Sequence, residues 1–267
     1  MTRVVTLTTD FGSGSGYVAE LKGRLLHANI PFTLVDIAHD VPPHDIRAAA
    51  WLVGQGCPAF PSGTLHIVVV DPGVGTDRCL VWAQLGTPEA HQEFLCPDNG
   101  VLSLALQRLP LMAARRLDVP PDAAATFHGR DVLAPLAARL LDGLTPESLG
   151  SPLHTLAMFH WPSHLETPTG IQGEVIHIDD FGNLVTNLPA SLLPQLQAAG
   201  RLRVGQHEIT AIVRTYGEAA PGTAVALVGS QGFVEAAIVE GRADERLSAR
   251  VGTPVAIDAE AFRTLRS

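Results

Sequence analysis

The chain has 267 residues, enough for one large domain or two smaller ones, and a hydrophobic content of 46% supplies a sizeable core. Eighteen Lys and Arg against 27 Asp and Glu leave a net charge of −9, so no basic field is available to hold a nucleic-acid backbone. Three cysteines, Cys57, Cys79 and Cys96, are odd in number and lack C-x-x-C spacing, which argues against a disulfide framework or a zinc ribbon and fits buried thiols in a reducing compartment.

The first strand is expected at 4–9, so close to the amino terminus that no secretory leader fits before it. No apolar run of about 18 residues could span a bilayer. The expectation is a soluble, cytoplasmic protein without a membrane partner. Val4-Val5-Thr6-Leu7-Thr8-Thr9 leads straight into Asp10-Phe11-Gly12, and Gly12-Ser13-Gly14-Ser15-Gly16 reads as a flexible strand-to-helix turn. Tyr17 to Asn29 has helical period, with Val18, Leu21, Leu25 and Leu26 on one face. A strand follows at 32–37, and a second helix is expected to begin near His44, with Asp45 in its first turn.

The run at 65–70 is apolar and β-branched, the mark of a buried parallel strand, and it delivers Asp71 to its carboxyl end. Open α/β sheets place ligands at that edge. Pro72-Gly73 turns the chain, and Arg78 lies seven residues beyond Asp71. Further strands are expected at 79–85 and 113–117, with helices at Val101–Leu109 and Arg130–Leu141. His128 then sits near a helix amino terminus, whose dipole disfavours the imidazolium form. Asp71, Arg78 and His128 all arise in loops around the expected ligand edge.

Strands alternating with helices predict an α/β sheet domain with flanking helices over 1–160. A stretch rich in Pro, His, Ser and Thr reads as a linker, at 161–170. From 171 to 267 short runs punctuated by turns predict a smaller β-barrel domain, with strands at 173–178, 183–187, 201–204, 208–213, 224–228, 234–239 and 254–257. Long helical patterns are nearly absent there. The turn Asp179-Asp180-Phe181-Gly182-Asn183 offers two acids, an aromatic and an amide, suited to an ammonium group and a purine and equally to a plain turn. The two Asp-Phe-Gly triplets, at 10–12 and 180–182, do not indicate a protein kinase, because no Val-Ala-Ile-Lys strand accompanies them.

Taken in order, these segments resemble the S-adenosyl-L-methionine hydroxide adenosyltransferases, also called adenosylmethionine hydrolases, relatives of fluorinase and chlorinase. The resemblance rests on Thr8–Gly12, Tyr17-Val18 with Lys22-Gly23, Asp36–His39, Val70–Gly75, Pro97–Gly100, Phe127–Asp131, Asp180–Asn187 and Val228–Ser230. It implies an α/β domain followed by a β-barrel, assembled as a homotrimer with each site at a subunit interface. It also implies hydrolysis of S-adenosyl-L-methionine to adenosine and L-methionine, with no cofactor and no metal.

Its hydrolase branch carries an Asp-Arg-His set that falls on Asp71, Arg78 and His128, which halogenating members lack. By the same resemblance Asp10 binds the ribose, Phe181 and Asn183 hold the adenine, and Asp179 or Asp180 meets the methionine ammonium. Ser230 binds the carboxylate, Tyr216 packs on the purine, and Glu235 fits the pattern without an assigned role. The chain departs from relatives at Ser13–Gly16, His44 and Gln231, all bearing on the methionine end. Three other readings compete: a halogenase, a nucleoside-binding protein without turnover, and a metal-dependent phosphoesterase using Asp10, Asp71, Asp98, His128 and Asp131 as ligands.

Overall fold

The computed structural model describes residues 2–258. The fold is mixed α/β, in two compact units that divide between His160 and Trp161.

In the first unit the elements are β1 (Arg3–Thr9), α1 (Gly16–Leu25), β2 (Phe32–Ala38), α2 (Ile46–Gly56), β3 (Thr64–Val69), β4 (Leu80–Gly86), β5 (His91–Pro97), α3 (Ser103–Arg108), β6 (Leu111–Leu117), α4 (Ala134–Leu141) and β7 (Pro152–Leu153). The sheet order is β2-β1-β3-β5-β4-β6-β7. β2, β1, β3 and β5 run parallel, whereas β4, β6 and β7 are antiparallel to their neighbours. Every residue of β3 is buried, as its unbroken apolar run demands of a central parallel strand. The carboxyl ends of the adjacent strands β1 and β3 therefore open on one edge, and Asp10 and Asp71 follow them there.

Several boundaries differ from expectation for local reasons. α1 stops at Leu25 instead of reaching Asn29, and Leu26 is exposed, because the Asn29 backbone and side-chain N–H groups are both taken by Asp142. Asp45 is the N-cap of α2 rather than part of its first turn, accepting from the Ala48 amide, and His44 precedes it with a left-handed φ of 67°. The helix expected at Arg130–Leu141 opens with one π-helical turn at Gly129–Leu133 before α4. β5 is absent from the sequence expectations because it starts with the polar His91-Gln92-Glu93. Glu93 is nonetheless buried, accepting from Arg3 at 2.5 Å and from the Trp82 indole at 3.0 Å.

The second unit comprises β8 (Leu165–Thr167), β9 (Gly170–Ile178), β10 (Leu184–Pro189), α5 (Leu193–Ala199), β11 (Leu202–Val204), β12 (His207–Ile209), β13 (Ala211–Ile212), β14 (Ala224–Val228), β15 (Phe233–Ile238), α6 (Ala243–Arg246) and β16 (Pro254–Asp258). Its strands form one barrel-like sheet, β12-β11-β16-β9-β10-β15-β14-β13, and β8, inside the stretch expected to be a linker, pairs with β9. The single strand expected at 208–213 is two, since β12 pairs with β11 and β13 with β14. α5 was not expected; at two turns it is too short to show a period, and it ends at a left-handed Gly200.

Cys57 and Cys96 are buried free thiols, and Cys79 is half-buried. No helix among the described residues is long and apolar enough to cross a membrane.

Candidate functional site

The first unit holds a cavity of about 270 Å³ lined by Asp10, Asp71 and His128 together with Phe11, Tyr17, Pro43, His44 and Phe127. Asp71 leaves the end of β3 and enters the Pro72–Thr76 turn, in which Val74 N–H donates to the Asp71 carbonyl and Thr76 N–H to that of Gly73. Gly75 makes the turn fit. Its φ is 79°, and a Cβ there would stand 2.7 Å from the Ala125 carbonyl oxygen. The turn returns Arg78 to Asp71: Nε lies 3.0 and 2.9 Å from the two carboxylate oxygens, and Nη2 lies 2.5 Å from Oδ2. Both side chains are largely withdrawn from solvent, at 11% and 7% exposure, so the pair is a buried, charge-assisted fork.

The same Nη2 reaches His128 Nδ1 at 2.9 Å. A guanidinium has no acceptor, so Nδ1 must accept, and His128 is held as the neutral Nε2–H tautomer. Burial is the main cause that lowers its pKa below the ordinary histidine value, and the Arg78 charge adds to it against the opposing pull of Asp71 and Asp131. The three residues expected to converge do so, with Arg78 as the bridge. Asp10 lines the same cavity, where its Oδ2 accepts from the His44 amide at 2.9 Å.

Not every acid near this edge joins them. Asp131 is taken by Arg130 and by the Ala124 amide, which hold its pKa down at about 2. Asp98 accepts from the Ala157 amide, with its pKa raised by burial. Among the described residues no group of three or more His, Cys, Asp or Glu is placed to hold a metal ion. The ligand set of the phosphoesterase reading does not assemble.

The second unit holds a larger cavity of about 930 Å³, lined by Asp179, Asp180, Phe181, Asn183, Tyr216, Ser230 and Glu235. The turn between β9 and β10 is organised by Asp179: one oxygen accepts from the Phe181 and Asn183 amides at 3.0 and 2.8 Å, and the other from the Asn183 side-chain amide at 2.9 Å. This leaves Asp180 exposed and Phe181 77% exposed, a large apolar surface for water to cover. The adjacent acids thus differ: Asp179 builds the turn and Asp180 extends from it.

Across this cavity the Tyr216 hydroxyl donates to Glu235 Oε2 at 3.0 Å. Burial raises the pKa of both, Tyr216 to about 12, where the Glu235 charge also acts. The Ser230 turn between β14 and β15 packs so tightly on Glu235 that a Cβ at Gly229 would collide with its carboxylate. Sequence reasoning missed the aromatic wall of the smaller cavity. Its signal was the Tyr17-Val18 pair in the resemblance, read only as part of a helix.

Comparisons with known proteins agree on one group. The SAM hydroxide adenosyltransferase N-terminal domain matches residues 5–150 and the corresponding C-terminal domain residues 173–256. An (R)-S-adenosyl-L-methionine hydrolase of Thermus thermophilus is 40% identical over 95% of this chain and 98% of its own. A crystal structure of a conserved Thermotoga maritima protein superposes with a TM-score of 0.86 at 32% identity, covering 94% of this chain and 98% of that one. A fluorinase of Nocardia brasiliensis is more distant, 25% identical over 86% of this chain and 88% of its own.

Proposed function

The chain belongs to the SAM hydroxide adenosyltransferase family, and we infer from this that it hydrolyses S-adenosyl-L-methionine to adenosine and L-methionine. The observation that carries the reading at the level of residues is the buried bridge in which Arg78 touches Asp71 and His128 at once.

The oxygen of water or hydroxide forms a bond to ribose C5′ while the C5′–S pair returns to sulfur. Methionine departs as a neutral thioether, and one proton is released to solvent. A sulfonium is already a good leaving group, so departure asks for neither an acid, a metal nor a cofactor. Nucleophile supply is the harder task, since free water has a pKa of about 15.7. Arg78 brings positive charge to the attacking oxygen and favours hydroxide character there. His128, fixed as the Nε2–H tautomer, is a hydrogen-bond donor that aims this oxygen rather than the base that takes its proton. Asp71 anchors Arg78 and supplies the remaining acceptor. Asp10 holds the ribose hydroxyls, and positioning of oxygen and C5′ in line contributes several kcal/mol, roughly as in other oriented reactions.

The second cavity supplies recognition: Phe181 and Tyr216 pack on the adenine, and Asn183 reads its edge. Ser230 and the Asp179–Asp180 pair take the methionine carboxylate and ammonium, and Glu235 supports Tyr216. The relatives are named for the (R)-sulfonium epimer, and the same epimer is the substrate in this reading. The working form is a cytoplasmic homotrimer with its sites at subunit interfaces.

Incubation with S-adenosyl-L-methionine in isotopically labelled water, with and without halide, tests this. Label at the adenosine 5′-oxygen is expected. A 5′-halogenated nucleoside, unlabelled adenosine or no product overturns it.

A further inference from the structure

The smaller cavity pairs its acids with an aromatic wall that the chemistry above leaves without a role. Phe11, Tyr17 and Phe127 meet edge to face, with ring centroids 5.2 to 6.0 Å apart. Tyr17 is the exposed member, at 56%, and so contributes little to the core for its size. The Arg130 guanidinium already lies 4.7 Å from the Phe127 centroid.

Tyr17 is also held in place by a device the sequence disguised. The Gly-Ser segment that reads as a flexible turn is tied at Gly12, Ser13 and Ser15. The Gly12 amide donates to the His39 carbonyl at 2.7 Å, and the Ser13 amide and hydroxyl both donate to Asp40. The Ser15 amide then donates to Gly12, and Ser15 caps α1 by accepting from the Tyr17 amide itself at 3.2 Å. A surface tyrosine whose backbone is pinned in this way is placed, not merely tolerated.

The ligand of the proposed reaction explains the placement. A trialkyl sulfonium carries a full positive charge but no N–H or O–H, so it offers no conventional hydrogen-bond donor. The negative face of an aromatic ring recognises such a charge directly, as it does quaternary ammonium groups. The wall lines the same cavity as Asp71 and His128, and in-line attack requires sulfur on the side of C5′ away from the nucleophile.

We propose that Tyr17 is a specificity-determining residue that binds the sulfonium centre by a cation–π contact and so distinguishes the charged substrate from neutral adenosyl thioethers. The proposal rests on the sulfonium-hydrolysis reading and adds to it the group that senses the charge.

Calorimetric titration with S-adenosyl-L-methionine and with its neutral analogue S-adenosyl-L-homocysteine tests it, in an Asp71→Asn background to slow turnover. Adenosine formation is measured separately in the parent protein. Tyr17→Leu is expected to weaken binding of the sulfonium about tenfold while affinity for the thioether stays within about twofold, and Tyr17→Phe to keep both. Retained thioether binding certifies that the Leu variant is folded. Equal loss for both ligands, no loss for either, or binding of neither ligand by the Asp71→Asn protein overturns the proposal. Binding of the sulfonium with an unchanged Tyr17 effect, but without adenosine from the parent, sinks the hydrolase reading while supporting the role of Tyr17.

Discussion

The two cavities are built by opposite means. In the first unit, about 270 Å³ are lined in part by Asp71 and His128, which a single guanidinium, that of Arg78, braces at 2.5 to 3.0 Å. In the second, about 930 Å³ are bounded in part by a hairpin turn whose aromatic side chain, Phe181, stands mostly in solvent. Bond making depends on angles and on charge at one point, so its groups are buried and cross-braced. Recognition of a flat base depends on area, and a turn that presents an aromatic face serves it.

If that division holds, substitutions in the two cavities should divide between turnover and affinity. The largest effect is expected at the bridge: Arg78→Met should lower kcat by about 10²–10³, the scale of losing one electrostatic stabiliser, with KM changed only a few-fold. Steady-state assay of adenosine checks this, and a KM rising as far as kcat falls would merge the two roles. Phe181→Ala should do the reverse, raising KM about tenfold through lost stacking while kcat falls less than about threefold.

The smallest effect sharpens the electrostatic side. His128 is held below the ordinary histidine pKa of about 6.5, so its imidazole stays neutral as pH falls through that value and the acid limb of kcat lies beneath it. In that window the unfolded chain binds a proton that the folded one refuses. This group's contribution to stability is therefore intact above the ordinary value and is lost as pH falls toward the lowered one. Replacing Arg78 by Met removes one of the two causes, burial being the larger. Titration of His128 by NMR should then show its pKa moved upward, and an unmoved or lowered value would remove the Arg78 charge from the account.

Much of this arrangement was legible in the sequence, and for a single reason. β1 and β3 announce themselves as apolar, β-branched runs, and the residue after a buried parallel strand has to emerge at the carboxyl edge, which placed Asp10 and Asp71. The position of His128 beside a helical start was equally local. β5 was hidden because the groups that make a buried Glu93 tolerable, Arg3 and Trp82, sit on other strands. The rigidity of the Gly-Ser turn was hidden for the same kind of reason, since Asp40 lies 27 residues away.

Periodicity and turn chemistry are properties of neighbours along the chain, and from them followed the two fold classes and the strand exits that carry Asp10 and Asp71, while the roles of the other site residues came from the family resemblance. Which tautomer His128 adopts, which of Asp179 and Asp180 is committed to its turn, and which ring stands exposed beside the acids were decided only on folding. Each depends on a hydrogen-bond partner or a packing surface that adjacency in sequence does not specify.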